Sequence, residues 1–545
     1  MPKISYDFDQ STQRIFDQKF SNLKPVDWKE WPYIFSSEEY EELAFKLSGL
    51  TSFDDIWNKF KYEEANSKEL TINLESYIKA QNDSPLIICH TSGTTNSDLN
   101  SLKWFHMSND LVKRLWAPGM QAIFQSSGLG NQNSALIFVP SRLKFDGLNK
   151  IEDKKYISLY SPEFSQRVML SVIKPKSYLL YEYKDVFNLS VLNKILNMDK
   201  IAVLSAPAAT ILKWADRVRL SKGIEFYLKN FKDFNESTNL NKYVKEVKTL
   251  GLEKFTNELH KKLSLKLKDA ATLVFSISSL NYESWNLIRD FLGWEKGKEK
   301  FTSLYVGSEI GPFASNLSLT DFNGIQKDEM FVFPLTLPVI EYKGQKNFIT
   351  KTNYDKGKLF VSYQKEGKPI FNIDVGDFIY IKSKEGLPRI SGTILRNGFE
   401  IKYPTKIAQK VDLPPNKKMF AGDYFNFNKF EIIEPRNLLN CLRRYCNYQY
   451  DTILFVSRDS EMNWDLYLEK SCQIQGIKEN QLMDLLQNCD INPSFKKYLT
   501  SKVNLHLIDD ELVSFVRNRS EMLEKVRNGN VPKGVLKKWP IYIIK

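Results

Sequence analysis

The segment Cys89-His90-Thr91-Ser92-Gly93-Thr94-Thr95-Asn96 follows directly on the apolar run Pro85-Leu86-Ile87-Ile88. That run has the length and composition of a buried strand. Behind it, hydroxyl-bearing residues and one glycine occupy five consecutive positions. Small residues behind a parallel strand let backbone N–H groups and hydroxyls close around phosphate oxygens. Gly93 permits close backbone approach, and Ser92, Thr94 and Thr95 supply hydroxyl donors. The GxxxxGK[ST] pattern is absent. Lys103, nine positions after Thr94, is the nearby cation able to complete an anion site. The same string is also compatible with a plain polar strand-to-helix turn, so its reading depends on the rest of the chain.

Around this segment apolar runs alternate with amphipathic ones. SALIFVP (Ser134 to Pro140), KIAVLSAP (Lys200 to Pro207) and ATLVFSIS (Ala271 to Ser278) predict buried strands. TILKWADRVRL (Thr210 to Leu220) and YESWNLIRDFLG (Tyr282 to Gly293) predict the helices that follow two of them. Such alternation predicts an α/β protein with largely parallel sheets. Residues 1–80 predict a helical lead-in, including Tyr40 to Leu50 and Phe53 to Phe60. Residues 221–270 predict a helical insertion or subdomain, and 330–390 a β-rich stretch. A boundary near Arg396-Asn397-Gly398 divides a large domain, 1–395, from a small α+β region, 396–545. The small region contains a predicted hairpin (TILFVSRD with NWDLYLEK) and the helix NQLMDLLQNC.

Composition narrows the function. The chain has 545 residues, 42% of them hydrophobic, which is enough for two or three domains with a large core. Five scattered cysteines without CxxC spacing argue against a disulfide framework or a zinc set. The four histidines form no HExxH pattern. The net charge of +12 raises the question of nucleic acid. Acidic residues are interspersed, however, and no RNA- or DNA-binding signature accompanies them. The expectation is a solvated basic surface without a nucleic-acid partner. MPKISYDFDQ has no apolar signal-peptide core, and no run approaches the ~18 apolar residues of a membrane span. A cytoplasmic protein without a membrane span is expected.

Two further segments bear chemistry. Tyr305-Val306-Gly307-Ser308-Glu309 follows a predicted strand. Tyr305 is suited to stack on a purine, and Glu309 to hold a Mg²⁺ ion that bridges phosphates. Asn372-Ile373-Asp374-Val375-Gly376-Asp377 enters a predicted strand, and the Asp377 carboxylate can accept both hydroxyls of a ribose. Taken alone, each also fits an ordinary turn.

In this order the three segments resemble the adenylate-forming superfamily: acyl-CoA synthetases, luciferase-like ligases, phenylacetate–CoA ligases and auxin-amido synthetases. Thr91-Ser92-Gly93-Thr94-Thr95 matches the superfamily's phosphate loop. Tyr305 to Glu309 is similar to its Y-G-x-[ST]-E motif, and Val375-Gly376-Asp377 to its [ST]-G-D motif. SISSLNYESWNLIRDFLG resembles the adenine-lining element, which implies Ser278 near the base. PRISGTILRNGFEIKYPTKI resembles the hinge to a mobile C-terminal domain. The resemblance runs from about Pro85 to the C-terminus.

There are departures. Asn96 replaces a glycine, and Asp98 to Ser101 intervene before Lys103. Val306 replaces a glycine. Thr393 stands where the superfamily has a hinge arginine, with Arg389 and Arg396 as nearby substitutes. Val535 stands at the C-terminal catalytic lysine, with Lys533 and Lys537 beside it. Gly93 to Glu309 spans 216 residues, a long interval also found in auxin-amido synthetases.

The resemblance implies ATP-dependent activation of a carboxylic acid, followed by transfer to CoA or an amine, with Mg²⁺ as cofactor. Thr94, Lys103, Glu309, Lys533 and Lys537 are the implied catalytic residues. Thr91, Ser92, Gly93, Thr95, Ser278, Tyr305, Gly307, Ser308, Asp377 and Arg396 are implied to bind the nucleotide. Trp116 to Phe124 can line an aromatic- or fatty-acid pocket. Thr393 and Val535 equally fit a degenerate nucleotide-binding protein without catalysis.

Overall fold

The computed structural model describes residues 6–23, 27–50, 70–82, 85–91, 103–139, 148–230, 238–268, 270–275, 282–296, 299–317, 329–401, 417–427, 430–433, 442, 453–458, 463–469, 503–508 and 541–545. The expected α/β class is what these residues form. A 13-stranded sheet dominates, flanked by a five-stranded and a six-stranded sheet.

The large sheet has two halves. Ser177–Glu182, Ser134–Val139, Ile201–Pro207, Ala271–Phe275 and Phe301–Gly307 run parallel, side by side. Ser134–Val139 is buried at every position. That burial is why its sequence is almost continuously apolar: helices cover both faces of a parallel sheet. From Gly311–Ser315 onward the sheet turns antiparallel, through Glu329–Val332, Arg389–Ser391, Lys368–Ser383, Lys356–Lys365 and Leu337–Tyr342. This half corresponds to the β-rich stretch expected at 330–390.

In the five-stranded sheet, Leu86–His90 pairs parallel with Lys154–Tyr160 and antiparallel with Trp104–His106. The segment after Cys89 therefore lies between two strands that pair antiparallel, and its residues 92–102 lie outside the described residues. The expected lead-in helix is present as Ser37–Ser48. A Ser36/Glu39 capping box starts it and left-handed Gly49 ends it. Residues 1–80 are not wholly helical, because Thr71–Ile72 adds an edge strand beside Trp104–His106. Phe53 to Phe60 lies outside the described residues.

The single helix expected over Thr210 to Leu220 is two helices, Ala208–Ala215 and Arg217–Asn230. Asp216 divides them. Its carboxylate accepts the backbone N–H groups of Val218 and Arg219, at 2.9 and 3.1 Å, and so caps the second helix. Arg217–Asn230, Thr238–Leu250 and Leu252–Leu267 make the described part of the expected 221–270 stretch helical. They belong to the main body, because Leu220, Ile224, Phe255 and Leu263 share one core with the parallel strands.

At the opposite face, helix Tyr6–Lys19 is fastened to Ser161–Ile173 by buried polar groups. Arg167 donates to Glu163 at 2.6 and 2.9 Å and to Gln13 at 3.2 Å.

The chain leaves the large sheet after Leu395–Arg396, which pairs with Asp377 and Phe378. It enters the six-stranded sheet at Phe399–Ile401. In that sheet Ile453–Ser457 and Trp464–Glu469 pair antiparallel, as the expected hairpin requires. The helix expected at NQLMDLLQNC lies outside the described residues. No helix among the described residues is long and apolar enough to cross a membrane.

Candidate functional site

Thr91 and Lys103, the Tyr305 to Glu309 segment and the Val375 to Asp377 segment are linked through side-chain and backbone contacts beyond strand Phe301–Gly307. Strand Leu86–His90 ends at Thr91, whose backbone N–H donates to the Lys103 carbonyl at 3.1 Å. The Lys103 N–H donates back to Thr91 Oγ1 at 3.3 Å. This double contact closes the base of the hairpin and sets where Lys103 starts. Lys103 Nζ then lies 3.5 Å from Glu309 Oε1.

Glu309 sits at the tip of a second hairpin, between Phe301–Gly307 and Gly311–Ser315. Gly307 and Gly311 pair across its base, with Ser308 in the turn beside Glu309. Gly311 has φ +66°, and a Cβ there would meet Leu115 at 2.9 Å, so the turn requires glycine. The Tyr363 hydroxyl donates to the Glu309 carbonyl at 2.6 Å and fixes the tip from the antiparallel half.

Tyr305 comes two residues before Gly307. Its hydroxyl donates to Asp377 Oδ2 at 2.5 Å. Its ring packs edge-on against Phe313 and is 8% exposed. Asp377 lies inside strand Lys368–Ser383 and not at the strand entry expected from sequence. It is displayed there by a kink: Gly376 has φ +75°, and its N–H donates to Asp374 at 2.8 Å. A Cβ on Gly376 would come within 2.7 Å of the Arg396 guanidinium. Glycine thus serves both the left-handed turn and the space that Arg396 fills.

Arg396 Nη1 donates to Asp377 Oδ1 at 3.1 Å and to the Val375 carbonyl. Its backbone N–H donates to Asp423 at 3.2 Å. Of the two arginines near the sequence departure at Thr393, Arg389 instead pairs with Glu329 at 3.0 Å. Thr393 donates its backbone N–H to Ser391 Oγ.

The electrostatics follow from burial and these contacts. Burial, then the Asp377 carboxylate, pushes the Tyr305 hydroxyl well above its ordinary range, so it stays a neutral donor. Burial alone would pull the Arg396 guanidinium down; Asp377 overrides it and holds Arg396 firmly charged. Burial and the Glu309 carboxylate raise Tyr363. The same two causes raise the enclosed Cys89 thiol, which keeps it a thiol and argues against a nucleophilic role.

The site therefore offers a cation beside a carboxylate at Lys103 and Glu309. Next to it is a carboxylate held between a neutral phenol and a guanidinium. Tyr363 and Asp423 had no local signal in sequence. Tyr363 sits in strand Lys356–Lys365 and Asp423 in the bend after strand Met419–Gly422, and each becomes relevant only through its backbone partner. Ser92, Gly93, Thr94, Thr95, Ser278, Lys533 and Lys537 lie outside the described residues.

Trp116 and Phe124, read as possible pocket lining, are fully enclosed in the main core, with Trp116 edge-on to Phe164 at 5.0 Å. They are packing residues. No group of three or more His, Cys, Asp or Glu suited to a metal occurs among the described residues. A lone Glu309 nevertheless fits Mg²⁺ that arrives with phosphates, because that ion commonly takes only one or two protein carboxylates.

No family model matches the chain, and no curated protein matches it. Among solved structures the chain is similar to 2-hydroxyisobutyryl-CoA ligase in the postadenylation state. The identity is 12% and the TM-score 0.46, covering 99% of this chain and 93% of that one. It is similar to GH3.15 acyl acid amido synthetase at 12% identity and TM-score 0.45, covering 98% and 100%. It is also similar to O-succinylbenzoate coenzyme A synthetase from Bacillus subtilis, solved with AMP. There the identity is 11% and the TM-score 0.40, covering 77% and 65%. These three solved structures are a CoA ligase, an acyl acid amido synthetase and a CoA synthetase.

Proposed function

We propose that the protein activates a carboxylic acid, aromatic or fatty, with ATP to an acyl-adenylate and then transfers the acyl group to a thiol such as CoA. One observation carries this reading. Two side-chain groups, Lys103 with Glu309 and Asp377 with Tyr305 and Arg396, form through contacts of 2.5 to 3.5 Å and are held side by side because one hairpin carries both Tyr305 and Glu309. Their chemistry suits the parts of a nucleotide: a cation for phosphate oxygens and a carboxylate for ribose hydroxyls.

In the first step a carboxylate oxygen forms a bond to the α-phosphorus, and the bond from that phosphorus to the bridging oxygen breaks. Pyrophosphate leaves. Both reactants are anions, so charge neutralisation dominates the barrier. Lys103 and the loop hydroxyls Ser92, Thr94 and Thr95 are assigned to the phosphates, with Lys533 or Lys537 as the second lysine. Asp377 holds the ribose, with Tyr305 and Arg396 fixing its orientation. A Mg²⁺ ion at Glu309 would supply further neutralisation of phosphate charge. In the second step a thiolate attacks the acyl carbon, and AMP leaves with the bonding electrons. The link at Gly398, between strands Leu395–Arg396 and Phe399–Ile401, is assigned as the hinge that changes one arrangement for the other.

Arg396 favours catalysis over the degenerate reading, because it brings to Asp377 the guanidinium that Thr393 lacks. The experiment is pyrophosphate release from Mg·ATP against a panel of carboxylic acids, for wild type, Glu309→Ala and Asp377→Asn. Acid-dependent release that both variants lose is the expected result, and adding CoA or amines then identifies the acceptor. ATP binding without release for any acid overturns the proposal.

A further inference from the structure

The basic excess of this chain is concentrated in one place. Helices Arg217–Asn230, Thr238–Leu250 and Leu252–Leu267 carry eleven lysines and arginines against four glutamates. They therefore hold more than half of the net +12 of the whole chain. Leu220 and Ile224 of the first helix and Phe255, Leu259 and Leu263 of the third point into the same core. The opposite stripes of both helices thus look outward on one side.

Those outward stripes are not simply polar. On the first helix Val218, Lys222, Phe226 and Lys229 recur at helical spacing, and all are exposed. On the third, Lys254, Lys261 and Leu265 do the same. Val218, Phe226 and Leu265 are 63, 68 and 66% exposed. They are three of the five large apolar side chains more than 60% exposed among the described residues. Between the second and third helices lies an open groove of about 570 Å³, where Lys242, Lys245 and Lys262 outnumber Glu246 and Glu258.

We infer that this helical face docks the enzyme on an anionic phospholipid surface. Lysines around single apolar side chains match an interface in which cations meet headgroups and apolar groups reach the acyl boundary. A phosphodiester backbone would use the lysines but gives Val218 and Leu265 nothing to enter.

The test is co-sedimentation of the full chain with phosphatidylcholine vesicles, with and without phosphatidylserine. Binding only to the anionic vesicles, weakening as salt rises, is expected. Lys222→Glu/Lys261→Glu/Lys262→Glu should lower the partition roughly a hundredfold. Phe226→Ser/Leu265→Ser should lower it about tenfold or more while every cation is kept. Thermal midpoints of both variants should match wild type, which separates lost docking from lost folding. Equal binding to neutral vesicles, or unchanged binding by both variants, overturns the inference. So does displacement from anionic vesicles by RNA at equal phosphate, which would assign the face to nucleic acid.

Discussion

The candidate site and the outer helical face handle charge in opposite ways. At the site each formal charge meets a partner: Lys103 faces Glu309, and Arg396 faces Asp377. Asp377 and Glu309 are 14 and 16% exposed, so solvent screens them weakly. On the helices, lysines such as Lys222 and Lys261 stand in solvent. Paired, half-buried charges hold a geometry in advance of a ligand. Solvated charges set what the surface attracts and add little to the stability of the fold.

The comparison breaks most visibly where pairing is complete. Arg167 and Glu163 are 1 and 7% exposed. Glu163→Ala should destabilise the protein by about 3–5 kcal/mol, read by chemical denaturation, because Arg167 stays buried without its carboxylate. A loss below about 1 kcal/mol would mean that Gln13 alone satisfies the guanidinium.

The site comes next, with its effect in rate. Asp377→Asn should slow acid-dependent pyrophosphate release by roughly 10²–10³-fold with a nearly unchanged melting temperature. Gly376→Ala sharpens the point without touching a charged group. It places a Cβ in left-handed backbone and against Arg396. We expect about 1–2 kcal/mol of lost stability and a release rate that falls further than that loss explains.

Acidification gives a smaller, signed effect. Burial depresses His260, whose Nε2–H donates to the Ala215 carbonyl at 3.2 Å. The unfolded chain then takes up the proton first. Stability is therefore full above the ordinary histidine value and falls as pH drops below about 6.5. His260→Gln should flatten that slope in thermal melts across the same window. At the bottom of the scale, Lys222→Ala/Lys261→Ala should leave stability within about 0.5 kcal/mol of wild type and pyrophosphate release unchanged. A larger shift would show that the outer lysines are structural after all.

How far the sequence could be read follows the range of the signal. The parallel strands were legible because burial on both faces makes them continuous apolar runs, as in SALIFV. Tyr305, Glu309 and Asp377 were legible as members of ordered motifs. The break at Asp216 was missed because amphipathic spacing continues through it, although an aspartate before a helical run is itself a capping signal. Tyr363 and Asp423 were not legible, since each acts on a backbone atom brought near only by sheet pairing. The concentration of charge was missed although it was legible. The excess itself stands in the string, eleven lysines and arginines against four glutamates in these helices, and only the sorting of exposed apolar side chains beside them needed the fold.

The double contact between Thr91 and Lys103 has a consequence for how the segment can vary. It anchors the lysine at the stem, so the lysine's starting position does not depend on how many residues the enclosed loop contains. Closing a longer loop costs little, about 0.6 kcal/mol for each doubling. A few residues added between Thr91 and Lys103 would then be nearly neutral in energy, and the cation would keep its station beside Glu309.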